Sequence, residues 1–144
     1  MPTSVEGATE VAREAWRLVW RIFMEDKRRR WAILSELGIS PQQSMAIGTL
    51  EPGNPLTMGA LAEALHCDNS NITGIVDRLE AAGLAERRPD ERDRRIKAVV
   101  LTDKGEWMRV EIDRRAGEPP PRLAALPVED AIALRDILAR ALED

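Results

Sequence analysis

The chain has 144 residues, 44% of them apolar and 32% charged, with a formal net charge of −4. That balance suits one globular domain with additional helices. One cysteine and one histidine, Cys67 and His66, exclude an internal disulfide and a tetrahedral metal site, and no run of about 18 apolar residues offers a membrane span.

The N-terminal residues, with Glu6, Glu10 and Arg13, lack the basic-then-apolar layout of a signal peptide. A single thiol fits a reducing compartment, so the expected location is cytoplasmic, with no membrane partner, no metal and no cofactor. The acidic total argues against nucleic-acid binding, for which a basic domain is the usual footprint. Screening limits the reach of a charge to about 8 Å at physiological salt, however, so placement outweighs the total.

In chain order, residues 5–37 read as one long helix. Between Ala15 and Met24 only Arg17 and Arg21 interrupt the apolar residues. A surface helix needs one apolar stripe. Here Trp16, Leu18, Trp20, Ile22 and Phe23 spread around nearly every side, so more than one neighbour must cover them. Lys27 to Arg30 form a charge run that reads as a solvated face or a fringe of a DNA surface, because Trp31, Ile33 and Leu34 resume the helical register at once. Gly38 closes this helix, and Ser40 and Pro41 open the next as N-cap and first helical residue. Residues 51–55 form a Pro/Gly turn. Met58 to Leu65 is a short helix with Leu61, Ala62 and Leu65 on one face.

The segment Leu65-His66-Cys67-Asp68 is a tight turn. His66 falls where the backbone must turn left-handed, and Asp68 is an N-cap. The helix from Asp68 to Ala82, ended by Gly83, has Ile72, Ile75, Val76 and Leu79 at the i, i+3, i+4, i+7 positions of a core face. Its opposite face holds Ser70, Asn71, Thr73, Gly74, Asp77 and Arg78. Two strands, Leu84–Arg88 and Ile96–Leu101, flank a charged loop. Thr102 caps a helix that Pro119, Pro120 and Pro121 break. The last helix, about 127–143, carries Ile132, Leu134, Ile137, Leu138, Ala141 and Leu142. Its stripe and the first helix can cover each other in an ordinary intrachain bundle or be covered by a second copy; the second copy is the expectation, because a chain this short has few other elements to cover both.

Helix, helix, turn, helix and hairpin in this order describe a winged helix-turn-helix. The expected fold is mainly α with a small β-hairpin wing. Residues 38–105 form the DNA-binding domain, and residues 1–37 and 106–144 a helical dimerisation region. Short polar side chains with one cation suit a recognition helix in a major groove. The hairpin tip concentrates Arg87, Arg88, Arg92, Arg94, Arg95 and Lys97 against Asp90, Glu91 and Asp93. Such a tip suits phosphates and a narrow minor groove. Asp93 and Arg95, two apart in an extended segment, share a face, so the carboxylate can fix the guanidinium.

From Leu56 to Gly105, the stretches LAEAL, DNSNITGIVDRLEAAGL and RRPDERDRRIKAVVLTDKG resemble the MarR family of winged-helix regulators. Asp93, Arg95, Leu101, Thr102 and Gly105 sit at that family's spacing. The resemblance implies a homodimer held by the first and last helices, and a pseudo-palindromic double-stranded DNA operator. It also implies release by a small aromatic or phenolic effector, as in a ligand-responsive repressor. It makes Arg95 the minor-groove probe and Asp93 its support. Ser70, Asn71 and Thr73 would meet bases or nearby phosphates, and Arg78 the backbone, with Arg92 and Arg94 on the wing. Three features depart from the pattern: Gly74 stands where a longer polar residue is common, His66 replaces a turn glycine, and the prolines interrupt a longer helix.

Trp16, Trp20, Trp31, Met45 and Trp107 are the expected lining of an effector pocket. Cys67 reads first as a small core residue; a redox role is the alternative, because a helix N-terminus lowers a thiol pKa. An adaptor that uses the winged helix for protein contacts is a second alternative. No phosphate loop, nucleophile–histidine–acid set or metal-protease motif is present, so an enzyme is not expected.

Overall fold

A computed structural model describes residues 5–143, which hold seven helices and three short strands. They form two compact units. One joins α1 (Val5–Glu36) up to Arg28 with the residues from Glu118 onward; the other is Arg29–Gly117.

The second unit follows the expected order: the end of α1, α2 (Pro41–Thr49), β1 (Leu56–Thr57), α3 (Met58–Ala64), α4 (Asn69–Ala81), β2 (Ala85–Pro89), β3 (Lys97–Leu101) and α5 (Asp103–Ala116). Local chemistry explains each start. Ser40 forms a full capping box: Gln43 N–H donates to Ser40 Oγ at 3.1 Å and Ser40 N–H to Gln43 Oε1 at 2.7 Å. Thr57 caps α3 by accepting from Ala60 N–H at 3.1 Å. His66 adopts φ +50° in the turn before α4, as its position requires. Asp68 Oδ1 then accepts from Asn71 N–H at 2.8 Å and Ser70 Oγ at 2.9 Å.

Those bonds, led by the Asn71 N–H and then the Ser70 hydroxyl, hold the Asp68 carboxyl below its ordinary 3.8. A carboxyl depressed in the native state stabilises fully above its ordinary value and loses that contribution as the pH falls through the lower native value. Asn at this position caps equally well but does not titrate. Asp68→Asn is therefore expected to flatten the dependence of stability on pH between about 4 and 2, measured by urea unfolding. An unchanged slope would remove the cap from the acid response.

Ile47, Leu50, Leu61, Ile72, Val76, Leu79, Leu84 and Val99 are fully buried and make the centre of this unit. The sheet is antiparallel in the order β1-β3-β2, with Leu56 opposite Val99, Ala85 opposite Leu101 and Pro89 opposite Lys97. The sequence reading expects two strands. The added β1 is two residues long, too short for an alternation to show, and it turns β3 into a central strand with Ala98 to Leu101 all buried. Helix α5 stops at Ala116, ahead of the prolines, and Pro121 starts a one-turn helix, α6 (Pro121–Ala124).

The N-terminus of α5 is sewn to the end of α4. Thr102 caps α5 by accepting from Gly105 N–H at 3.1 Å, and its hydroxyl donates to Gly83 O at 2.6 Å. Thr102 N–H donates to Leu84 O at 3.1 Å, and Lys104 Nζ to Ala82 O at 2.8 Å. The approach is so close that a Cβ on Gly105 would sit 1.9 Å from Leu84 O.

The first unit holds α1 to Arg28, α6 and α7 (Val128–Leu142). Arg122 pairs with Glu25 at 2.9 Å. Trp16, Trp20 and Phe23 form a ladder, with ring centroids 6.4 and 5.7 Å apart. All the buried apolar side chains among the described residues lie in the other unit. Trp16 is 64% exposed and Leu142 85%. Among the described residues, no helix is long and apolar enough to cross a membrane.

Candidate nucleic-acid interface

On the polar face of α4, two hydroxyls are already committed. Ser70 donates to the Asp68 cap, and Thr73 Oγ1 donates to Asn69 O at 2.8 Å. Both keep outward lone pairs and act as acceptors. The side chains of Asn71 and Arg78 have no hydrogen bond or ion pair to another described residue, and both are exposed. Gly74 lies between them on the face, and the Arg78 guanidinium rests over it: Nη1 and Nη2 are 3.7 and 3.9 Å from where a Gly74 Cβ would be.

Asp77 does not belong with this free set. Arg87 Nη2 binds its Oδ1 at 2.7 Å and Thr73 O at 3.4 Å. Arg87 also donates from its backbone N–H to Glu80 Oε1 at 2.7 Å and from Nη1 to Glu80 Oε2 at 2.8 Å. Burial works against the charge, but the bonds to Asp77 and Glu80 outweigh it and keep Arg87 above its ordinary value. The sequence reading counts Arg87 among the wing cations; the structure makes it a staple between α4 and β2. Glu80 and Arg87 lie on different elements joined by a turn, so neither helical nor strand periodicity relates them. Glu80→Ala, which removes both acceptors, is expected to cost about 1 kcal/mol in urea unfolding. Asp77→Asn is expected to cost under about 0.5 kcal/mol, because Asp77 is 61% exposed. Equal losses would contradict this ranking.

At the wing, Asp90 N–H donates to Ile96 O at 2.8 Å, and the Asp90 carboxylate accepts from the N–H groups of Arg92 and Asp93 at 3.2 Å each. This closed turn presents Asp93 and Arg95 side by side. Arg95 donates from Nε to Oδ1 at 3.0 Å, from Nη2 to Oδ2 at 3.1 Å and from its backbone N–H to Oδ1 at 3.1 Å. The Arg95 side-chain bonds, and then its N–H, hold the Asp93 carboxyl below 3.8. Arg95 is 90% exposed while Asp93 is 35% exposed, so the cation projects and its partner stays behind it. Arg92 and Arg94 are exposed on the same loop, whereas Arg88 pairs with Glu86 on its own strand.

An open groove of about 680 Å³ runs beside the wing, lined in part by Pro55, Thr57, Ala60, Arg88, Asp90 and Arg92. The five expected effector contacts do not line it. Trp16 and Trp20 belong to the first unit and Trp31, Met45 and Trp107 to the second, all exposed. Cys67 is half-buried against the core, with its N–H bonded to Ala62 O at 3.0 Å. Among the described residues, no cluster of three His, Cys, Asp or Glu side chains could hold a metal ion.

Comparison with known proteins agrees with this geometry. The MarR family model matches residues 37–96. The HTH-type transcriptional regulator FarR of Neisseria gonorrhoeae is 32% identical over 108 residues, covering 74% of this chain and 74% of FarR. The transcriptional activatory protein BadR of Rhodopseudomonas palustris is 34% identical over 96 residues, covering 62% of this chain and 54% of BadR. The chain spans about half the length of several curated relatives it matches. A MarR family protein from Bacillus stearothermophilus superposes with a TM-score of 0.79 at 27% identity, covering 92% of this chain and 94% of that one.

Proposed function

The chain belongs to the MarR family, and on that premise we propose that it is a ligand-responsive transcriptional repressor that binds a pseudo-palindromic DNA operator as a homodimer. The observation that carries this reading is the wing tip: an Arg95 guanidinium held along one edge, through Nε and Nη2, by Asp93 yet 90% exposed. An exposed arginine held in one pose beside a helix with a polar outer face suits a minor groove flanking a major-groove contact. A protein-interaction adaptor fits the polar outer face of α4 less well, because protein interfaces centre on apolar anchors.

The first unit supports the dimer. The Trp16–Trp20–Phe23 ladder and the α7 residues Ile132, Ile137, Leu138 and Leu142 are exposed apolar groups on helices with almost no core of their own. A second copy supplies the missing cover. The effector is a small aromatic or phenolic molecule, and the four tryptophans offer a fluorescence readout of its binding.

Fluorescence anisotropy with duplexes flanking the protein's own gene tests the reading, with sedimentation to report the oligomer. Specific binding by a dimer, with affinity falling steeply as salt rises, is expected. A monomer, or a protein that ignores every duplex at low salt, would refute it.

A further inference from the structure

Gly74 occupies the middle of the outward face of α4, between Ser70 one turn before and Arg78 one turn after. A glycine there leaves a gap in the surface meant for the major groove. The gap is not empty. Long helical side chains lean toward the N-terminus of their helix and cover the turn before their own Cα. Arg78 does this, and its guanidinium lies 3.7 Å from the absent Gly74 Cβ.

Apart from Asn71, whose side chain is also unbonded, the other polar groups on this face have partners. Ser70 and Thr73 spend their hydroxyl protons on Asp68 and Asn69 O. Asp77 is tied to Arg87. Arg78 is the sole cation of α4, and its side chain has no partner among the described residues.

We infer that Arg78, laid over Gly74, is a specificity-determining residue that reads guanine from the major groove. This goes beyond the backbone role implied by family resemblance, and it rests on the DNA-binding reading above. Guanine presents two acceptors, O6 and N7, on its major-groove edge, and a guanidinium meets both with parallel N–H donors. A phosphate-binding arginine would extend away from the helix to the strand beside the groove. One lying across the centre of the face instead places its donors where base edges pass. Gly74 permits this because any side chain of more than one carbon would compete for the same space.

The test uses the full chain with a randomised pool of duplexes. Wild type defines the preferred site, and anisotropy then ranks each single-base variant of it at two salt concentrations. Arg78→Ala is expected to abolish the preference for guanine at one position of each half-site. The loss there should be about 5- to 150-fold, the discrimination a bidentate arginine–guanine pair provides. Preferences elsewhere should persist. Gly74→Gln is expected to alter the preferred base at the same position by displacing the guanidinium. Thermal unfolding should be nearly unchanged in Arg78→Ala, since the side chain has no partner to lose.

A uniform loss over all variants, with a salt slope shallower by about 1 for each phosphate no longer neutralised, would make Arg78 a backbone ligand and overturn the inference alone. Unchanged preference and affinity would overturn it as well. If wild type selects no duplex, the regulator reading falls and this inference with it.

Discussion

Gly105→Ala is expected to destabilise the protein by about 3 kcal/mol and to lower its Tm by about 10 °C. Helix propensity alone predicts the opposite sign, because alanine is a better helix former than glycine. The difference is steric. An added Cβ would stand 1.9 Å from Leu84 O and 2.9 Å from Leu84 C, both backbone atoms that a rotamer change does not move, with a Leu101 methyl at 3.1 Å. Relief requires α5 to retreat from the α4–β2 corner. That retreat would stretch the bonds from Thr102 and Lys104 to Gly83 O, Leu84 O and Ala82 O. Calorimetry or circular-dichroism melting decides the matter. A variant as stable as wild type would show that the corner yields without strain.

Arg95→Ala is expected to weaken operator binding on the order of 100-fold, because each of two protomers gives up one charge-assisted hydrogen bond to the duplex. The loss should be similar across duplex sequences and should leave the unfolding midpoint in place, because the side chain is 90% exposed. Asp93→Asn separates charge from pose. It keeps the arginine but loses the carboxylate that fixes Nε and Nη2. A smaller loss, roughly 3- to 10-fold, is expected from the added freedom of the guanidinium. Anisotropy titrations at fixed salt measure both. Wild-type affinity in Arg95→Ala would remove the wing from the interface.

Much of this arrangement is legible in the sequence because it is local. The Ser40 and Asp68 caps, the left-handed His66 and the Ile72–Ile75–Val76–Leu79 stripe each depend on residues a few positions apart. The Asp93–Arg95 pair is legible for the same reason, since two residues of an extended segment point the same way. What escapes is non-local or depends on a rotamer. β1 pairs with a strand far along the chain and is too short to show a pattern. Arg87 looks like any wing cation until β2 is laid against α4 and brings Glu80 and Asp77 to it. The spacing marks Gly105 as notable, but only the packed corner reveals which carbonyl excludes its side chain.

The stitched corner also bears on how a signal could travel. Helix α4 is held at its last turn, at Ala82, Gly83 and Leu84, while Ser70 and Asn71 lie at its other end. At 1.5 Å per residue those ends are about 18 Å apart. Ile72, Ile75 and Val76 also seat the rest of α4 in the core, so the corner and both helices turn together: rotating that block by about 10° about the corner would sweep the far end of α4 through about 3 Å, close to the 3.4 Å spacing of stacked bases. A slight rotation carried by α5 would thus put α4 out of step with the duplex by a full rung.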